Sequence, residues 1–146
     1  MKIREVMSNP VIKINPEESV EVAARTLAHY NIGAMPVCTS DGVLLGVVTD
    51  RDLVTRCVAS GKLAQNTPVR EVMSRNVVTA EPEMDVGAAA GMMGKKQIRR
   101  LPVVEQGYLC GMVSIGDLAG REESAFEATD ALAEISSNIR RDNKMG

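Results

Sequence analysis

Aromatic residues are almost missing from this chain of 146 residues, which has no tryptophan, one phenylalanine and two tyrosines. Its core must therefore be aliphatic, built from Val, Ala, Leu, Ile and some of the nine methionines, and no aromatic is placed to stack on a nucleobase. A single histidine, His29, removes support for histidine triads and multi-histidine metal centres, and at the end of a helical stretch it reads as solvent-facing or as a partner of the helix dipole. Three cysteines, Cys38, Cys57 and Cys110, are an odd number without close spacing, so neither a disulfide framework nor a zinc site is indicated, and reduced, mostly buried thiols are expected. No strong charge of either sign is present: a formal net charge of −2 gives no general attraction to nucleic acid or anionic membrane. No apolar run reaches the roughly 18 residues of a membrane span, and the N-terminus lacks a signal-peptide core, so a soluble cytoplasmic protein is expected.

What the chain does have is a repeat. Arg4-Glu5-Val6-Met7-Ser8 returns as Arg70-Glu71-Val72-Met73-Ser74, 66 positions later. The same offset carries Pro16 onto Pro82, Ala24 onto Ala90, Ile32 onto Ile98 and Pro36-Val37 onto Pro102-Val103. Further on it falls to 65, aligning Gly46 with Gly111, Thr49 with Ser114 and Asp52 with Asp117. A unit of this length present twice is not a solenoid; it suggests two similar halves packed face to face, with ligand sites between them.

Each half reads as strand, helix, strand, strand, helix after a short helical turn. The turns are Ile3 to Met7 and Val69 to Met73, the second introduced by Thr67 as cap and Pro68 as first helical residue. Strands are expected over Val11 to Ile14 and Val77 to Ala80, and helices follow with Ser19 and Asp85 as N-caps. Val20, Ala23, Ala24 and Leu27, like Val86, Ala89, Ala90 and Met93, recur at helical spacing and mark the buried sides. Ser40-Asp41-Gly42 and Gln106-Gly107 are hairpin turns. The chain divides into a first repeat over 1–60, a linker over 61–68, a second repeat over 69–120, and a C-terminal tail over 121–146. Within that tail, residues 122 to 140 form an amphipathic helical stretch with Phe126, Thr129, Leu132, Ala133, Ser136 and Ile139 on one side. The fold class is α/β (α+β), two β-α-β-β-α repeats and an additional C-terminal helix.

No nucleophile and base pair stands out, no phosphate-binding glycine loop is present, and catalytic and metal-ligating residues are expected to be absent. The chemistry lies at Gly46-Val47-Val48-Thr49-Asp50-Arg51-Asp52 and its copy Gly111-Met112-Val113-Ser114-Ile115-Gly116-Asp117. Thr or Ser followed three residues later by Asp makes a capping box, which satisfies helix amides and needs no ligand. The functional alternative is that the carboxylate also accepts hydrogen bonds from the vicinal diol of a ribose.

The paired Val-Met-Ser starts, Ile32-Gly33-Ala34-Met35-Pro36-Val37 with Ile98-Arg99-Arg100-Leu101-Pro102-Val103, and the two Gly-x-x-Thr/Ser-x-x-Asp corners together resemble a tandem pair of CBS (cystathionine β-synthase) domains over residues 3 to 120. The resemblance implies a pseudo-twofold module that binds AMP, ADP, ATP or S-adenosylmethionine as a regulatory ligand, requires no cofactor for catalysis, and forms a homodimer. By the same resemblance Asp52 and Asp117 hold ribose hydroxyls, and Thr49 and Ser114 support the sugar or phosphate. Ser8, Val11, Ser74 and Val77 line the adenine pocket, Val11 and Val77 being equally explained as core. Arg100, then Arg99, would complete the Asp52 cleft by meeting a phosphate, with Arg51 a further candidate. Gly33 and Ala34 replace these arginines in the first repeat, so the Asp117 cleft should hold phosphates more weakly. The expected function is an energy-sensing module that signals to an effector protein in trans. The alternatives are a ligand-free dimerisation scaffold or an S-adenosylmethionine-binding module. Nucleic-acid binding through Lys95 to Arg100 is disfavoured by the acidic balance.

Overall fold

The computed structural model describes residues 1–9, 11–119 and 129–136. In chain order they form α1 (Val20–Tyr30), β1 (Ala34–Cys38), β2 (Leu44–Thr49), α2 (Asp50–Asp52) running on into a π-helical stretch Leu53–Val58, α3 (Val86–Lys96), β3 (Arg100–Glu105), β4 (Tyr108–Ser114) and α4 (Ile115–Ala119). Residues 129–136 add a helical segment, α5. The sheets are two antiparallel hairpins, β1–β2 and β3–β4, so the fold is a mixed α/β arrangement of small sheets and helices.

Local chemistry accounts for most boundaries. Ser19 Oγ accepts from the Val22 amide and Asp85 Oδ2 from the Gly87 amide, so both N-caps satisfy orphan helix donors. Asn31 and Gln97 end the two long helices in the left-handed conformation, with amides bonded back to the preceding turn. The drop in offset from 66 to 65 is a difference of turn type. The first hairpin uses a three-residue turn ending in Gly42 at φ 95°, whereas the second uses the two residues Gln106 and Gly107 at φ 52° and 87°. A bulge between Val37 and Cys38 accompanies the longer turn.

The first strand of each repeat is not a strand. It is reduced to one parallel bridge, Ile14 with Val37 and Ala80 with Val103. Ile14 donates to the Pro36 carbonyl and accepts from the Cys38 amide; Ala80 does the same with Pro102 and Val104. In a parallel ladder the rungs on either side would need N–H groups from Pro36 and Pro16, or from Pro102 and Pro82, and proline has none. A second difference lies at Thr67, which does not cap the following turn. Pro68 is the N-cap of the 3₁₀ turn Val69–Glu71, and the buried Thr67 hydroxyl donates to the Leu63 carbonyl instead.

Two compact units result, and their edges differ from those of the repeats. Among the described residues, unit 1 comprises 1–9, 11, 78–106, 110–119 and 129–136, and unit 2 comprises 12–77 and 107–109. Each takes its opening turn from the other repeat. The turn Ile3–Glu5 buries Ile3 and Val6 among Val86, Ala89, Met93, Leu101, Val113 and Leu118 of unit 1. The turn Val69–Glu71 leads Val69, Val72 and Met73 into the core of unit 2, with Val20, Ala23, Leu27, Met35, Val48 and Leu53.

The duplicate helices are buried differently. Ala90 of α3 is fully buried, but its counterpart Ala24 of α1 is exposed, against the expectation from spacing. In unit 1 α5 packs on the helix. A Cβ placed on Gly94 of α3 would lie 2.8 Å from Ala131 Cβ, so glycine is what lets the two helices approach. The buried side of α5 is Ala131 and Ile135, while Thr129, Leu132 and Ala133 are exposed. The apolar face inferred from sequence was rotated, because the buried stripe is set by what fits against Gly94. Phe126 and Ile139 lie outside the described residues.

None of the cysteines forms a disulfide; Cys38 and Cys57 are buried and Cys110 is half-buried. Burial pushes the Cys38 thiol above its ordinary value, and Lys13 partly opposes this. A raised acid keeps its proton in the folded state after the unfolded thiol, near about 8.5, has lost it. Its contribution to stability is thus complete below that pH and declines as pH rises through the folded value. Urea unfolding should show a steeper loss of stability above pH 8.5 for the wild type than for Cys38→Ala, and parallel pH profiles would refute the assignment.

Candidate functional site

The two strand-to-helix corners hold the candidate polar groups. In unit 2, β2 ends at Thr49, whose hydroxyl accepts from the Asp52 amide at 3.0 Å, while Asp52 Oδ2 accepts from the Thr49 amide at 2.9 Å. This is a complete capping box. It occupies one carboxylate oxygen. The other, Oδ1, has the Arg56 Nε at 3.8 Å, and the Asp52 side chain is 13% exposed. A carboxylate offers about four lone-pair sites, so acceptor capacity remains for hydroxyl donors.

Ser74 is fixed beside this corner by backbone pairing. Its amide donates to the Val47 carbonyl at 2.9 Å and its carbonyl accepts from the Val47 amide at 3.0 Å. The close approach demands glycine at position 46, where a Cβ would fall 2.3 Å from the Ser74 carbonyl oxygen. Val77, half-buried, belongs to the same unit. Arg51 lies exposed in the first turn of α2. Unit 2 therefore contains Thr49, Arg51, Asp52, Ser74 and Val77 together.

Unit 1 repeats the geometry more loosely. Asp117 donates its amide to Ser114 Oγ at 3.1 Å, and Asp117 Oδ2 accepts from the Ser114 amide at 3.3 Å. Asp117 is exposed. Ser8 pairs with Met112 as Ser74 does with Val47, at 2.7 and 3.2 Å, beside Gly111. Ser8, Val11, Ser114 and Asp117 thus share one unit. Arg99 and Arg100 are in it too: the Arg99 carbonyl accepts from the Ile115 amide at 2.8 Å, which sets the start of β3 against the Ser114 corner. Both arginine side chains are exposed.

Sequence reasoning passed over Arg56. Its Nη1 donates to the carbonyls of Val72 and Met73, each at 3.2 Å, from a side chain that also faces Asp52. The i, i+4 spacing from Asp52 was a visible signal, but the two carbonyls, 16 and 17 residues further on, were not. His29 is exposed at the end of α1 and meets Tyr30 edge-on. Among the described residues no group of three His, Cys, Asp or Glu could hold a metal ion, and no helix is long and apolar enough to cross a membrane.

Comparison with known proteins supports the repeat and the fold. The CBS domain family matches residues 3–59 and 69–124. The CBS domain-containing protein YhcV of Bacillus subtilis is 41% identical over 134 residues, covering 92% of this chain and 94% of that one. Hypoxic response protein 1 of Mycobacterium tuberculosis is 28% identical over 80% of this chain and 81% of its own length. A crystal structure of Hypoxic Response Protein I with two coordinated zinc ions superposes with a TM-score of 0.75 at 28% identity, covering 82% of this chain and 97% of that one. The CBS domain pair of MJ0100, solved in complex with 5′-methylthioadenosine and S-adenosyl-L-methionine, superposes at 0.71 with 29% identity, over 82% of this chain and 93% of its own. With the duplicated corners, their glycine-dependent pairing to Ser74 and Ser8, and family matches over both repeats, the chain belongs to the CBS domain family as a tandem pair.

Proposed function

We propose that this CBS pair is a regulatory module, not an enzyme, which binds an adenosine derivative and transmits its occupancy to a partner protein, acting as a homodimer. The observation that carries the reading is the Asp52 carboxylate. One oxygen is spent on the capping box and the other retains acceptor capacity, in a corner whose partners are set by backbone pairing. A vicinal diol can donate twice to such a group. The reading is supported by the adenosine compounds bound to the MJ0100 pair, at 29% identity. Phosphorylated ligands are favoured over thioethers by Arg100, with Arg99 and Arg51 in support, as the family resemblance assigns them. Coupling requires that the ligand prefer one of two conformations of the module.

A thermal-shift titration with AMP, ADP, ATP and S-adenosylmethionine tests this. At 100 times its Kd a ligand adds about 2.7 kcal/mol of stability to the wild type. Asp52→Ala should lose about 1 kcal/mol as a missing cap and, separately, most of the ligand response. Arg100→Ala should weaken the response to AMP, ADP and ATP and spare that to S-adenosylmethionine. The completeness of the capping box favours one competing reading, a scaffold whose aspartates need no ligand. An unresponsive wild type, free of co-purified nucleotide, would decide for that scaffold.

A further inference from the structure

Arg56 is the side chain that ties the Asp52 corner to the chain just before Ser74. Its Nη1 is shared between the Val72 and Met73 carbonyls at 3.2 Å, while Nε faces Asp52 Oδ1 at 3.8 Å. The second distance is too long for a hydrogen bond, so the guanidinium orients the carboxylate electrostatically without using the lone pairs of Oδ1. Oδ2 is already held by the Thr49 amide at 2.9 Å. Both oxygens are thereby fixed, one by a bond and one by charge. Across the corner the Val47–Ser74 backbone pair forms a second brace, so Thr49, Asp52 and Ser74 are held from two sides. Arg56 also lies in the π-helical stretch Leu53–Val58, where the Ala59 amide bonds to the Val54 carbonyl at 2.8 Å. Such wide turns are frequent at functional sites.

We infer that Arg56 is the positioning residue that sets the Asp52 carboxylate for a vicinal diol, and so determines selectivity for ribosides over 2′-deoxyribosides. This deepens the proposed function and rests on it. A carboxylate with fixed orientation rewards two hydroxyls at a set separation. Anchored through Oδ2 alone, it can pivot about that bond and serve a single hydroxyl nearly as well. Lysine would keep the charge opposite Asp52 but has no planar fork to span two carbonyls while facing the carboxylate.

Calorimetric titration of the full chain with AMP and with 5′-methylthioadenosine, each against its 2′-deoxy counterpart, gives the test. The wild type should prefer the riboside by at least about tenfold, the scale of a hydrogen bond to a charged group. Arg56→Met, which keeps most of the apolar stem, should bring that ratio close to one. Arg56→Lys should restore part of it. A purely structural arginine would lower the melting temperature of Arg56→Met and leave the ratio at its wild-type value, and that result overturns the inference while sparing the proposed function. A wild type that binds none of the four compounds overturns the inference, and overturns the proposed function as well if ADP, ATP and S-adenosylmethionine also leave its stability unchanged.

Discussion

Gly46→Ala is expected to destabilise the protein by about 2–4 kcal/mol, the upper end of what one added methyl group costs in a packed site. The new Cβ would lie 2.3 Å from the Ser74 carbonyl oxygen and 3.2 Å from its carbon, so it meets backbone that cannot rotate away. Relief requires parting β2 from Ser74, which breaks the paired hydrogen bonds between Val47 and Ser74. Gly111→Ala supplies an internal control. Its Cβ would lie 2.7 Å from the Ser8 carbonyl oxygen, but its other two near contacts are Met7 side-chain atoms, which can turn aside. Urea unfolding should therefore rank Gly46→Ala as the more damaging. Equal stabilities, or the reverse order, would show that β2 and Ser74 separate more easily than their geometry implies. The same substitution should weaken any adenosine ligand, since Ser74 would no longer be held beside Thr49 and Asp52.

Ile3→Ala should cost about 2–5 kcal/mol, although residue 3 lies in a short turn at the beginning of the chain. Ile3 has no exposed surface, and its amide donates to the Met84 carbonyl at 2.9 Å. Arg4 and Val86 add backbone bonds to Pro82 and Met1 at 3.0 and 3.1 Å. The cavity would open beside Val86, Leu101 and Leu118, residues of the second repeat. Native-state hydrogen exchange should register the loss first in α3 and β4, with α1 and β2 retaining their protection. Were α1 the first to lose protection, the assignment of the N-terminal turn to unit 1 would fail.

Much of this architecture is legible because its determinants are local. Ser19 and Asp85 cap their helices as the residue types imply, and Asp-Gly and Gln-Gly turn their hairpins. The capping box at Thr49 and Asp52 follows from three residues of spacing. The failure of the short first strands was also written in the sequence, in the prolines at 16, 36, 82 and 102, but only knowledge of which residues pair turns them into missing rungs. Ala24 and Ala90 occupy identical places in the pattern, and one is exposed and the other buried, because burial belongs to the neighbour as much as to the helix.

The amino-acid sequence alone determined the duplication, the order of the helices and hairpins, the two corner motifs and the aliphatic core, all of which arise from residue types acting over a few positions or from direct comparison of the halves. Tertiary structure decided which core each opening turn enters, which face α5 buries, and that Arg56 links Asp52 to carbonyls 16 and 17 residues beyond it. Those choices depend on contacts between segments far apart in the chain. Their energies come from shape and from groups brought together only by folding, and no local pattern of residues encodes them.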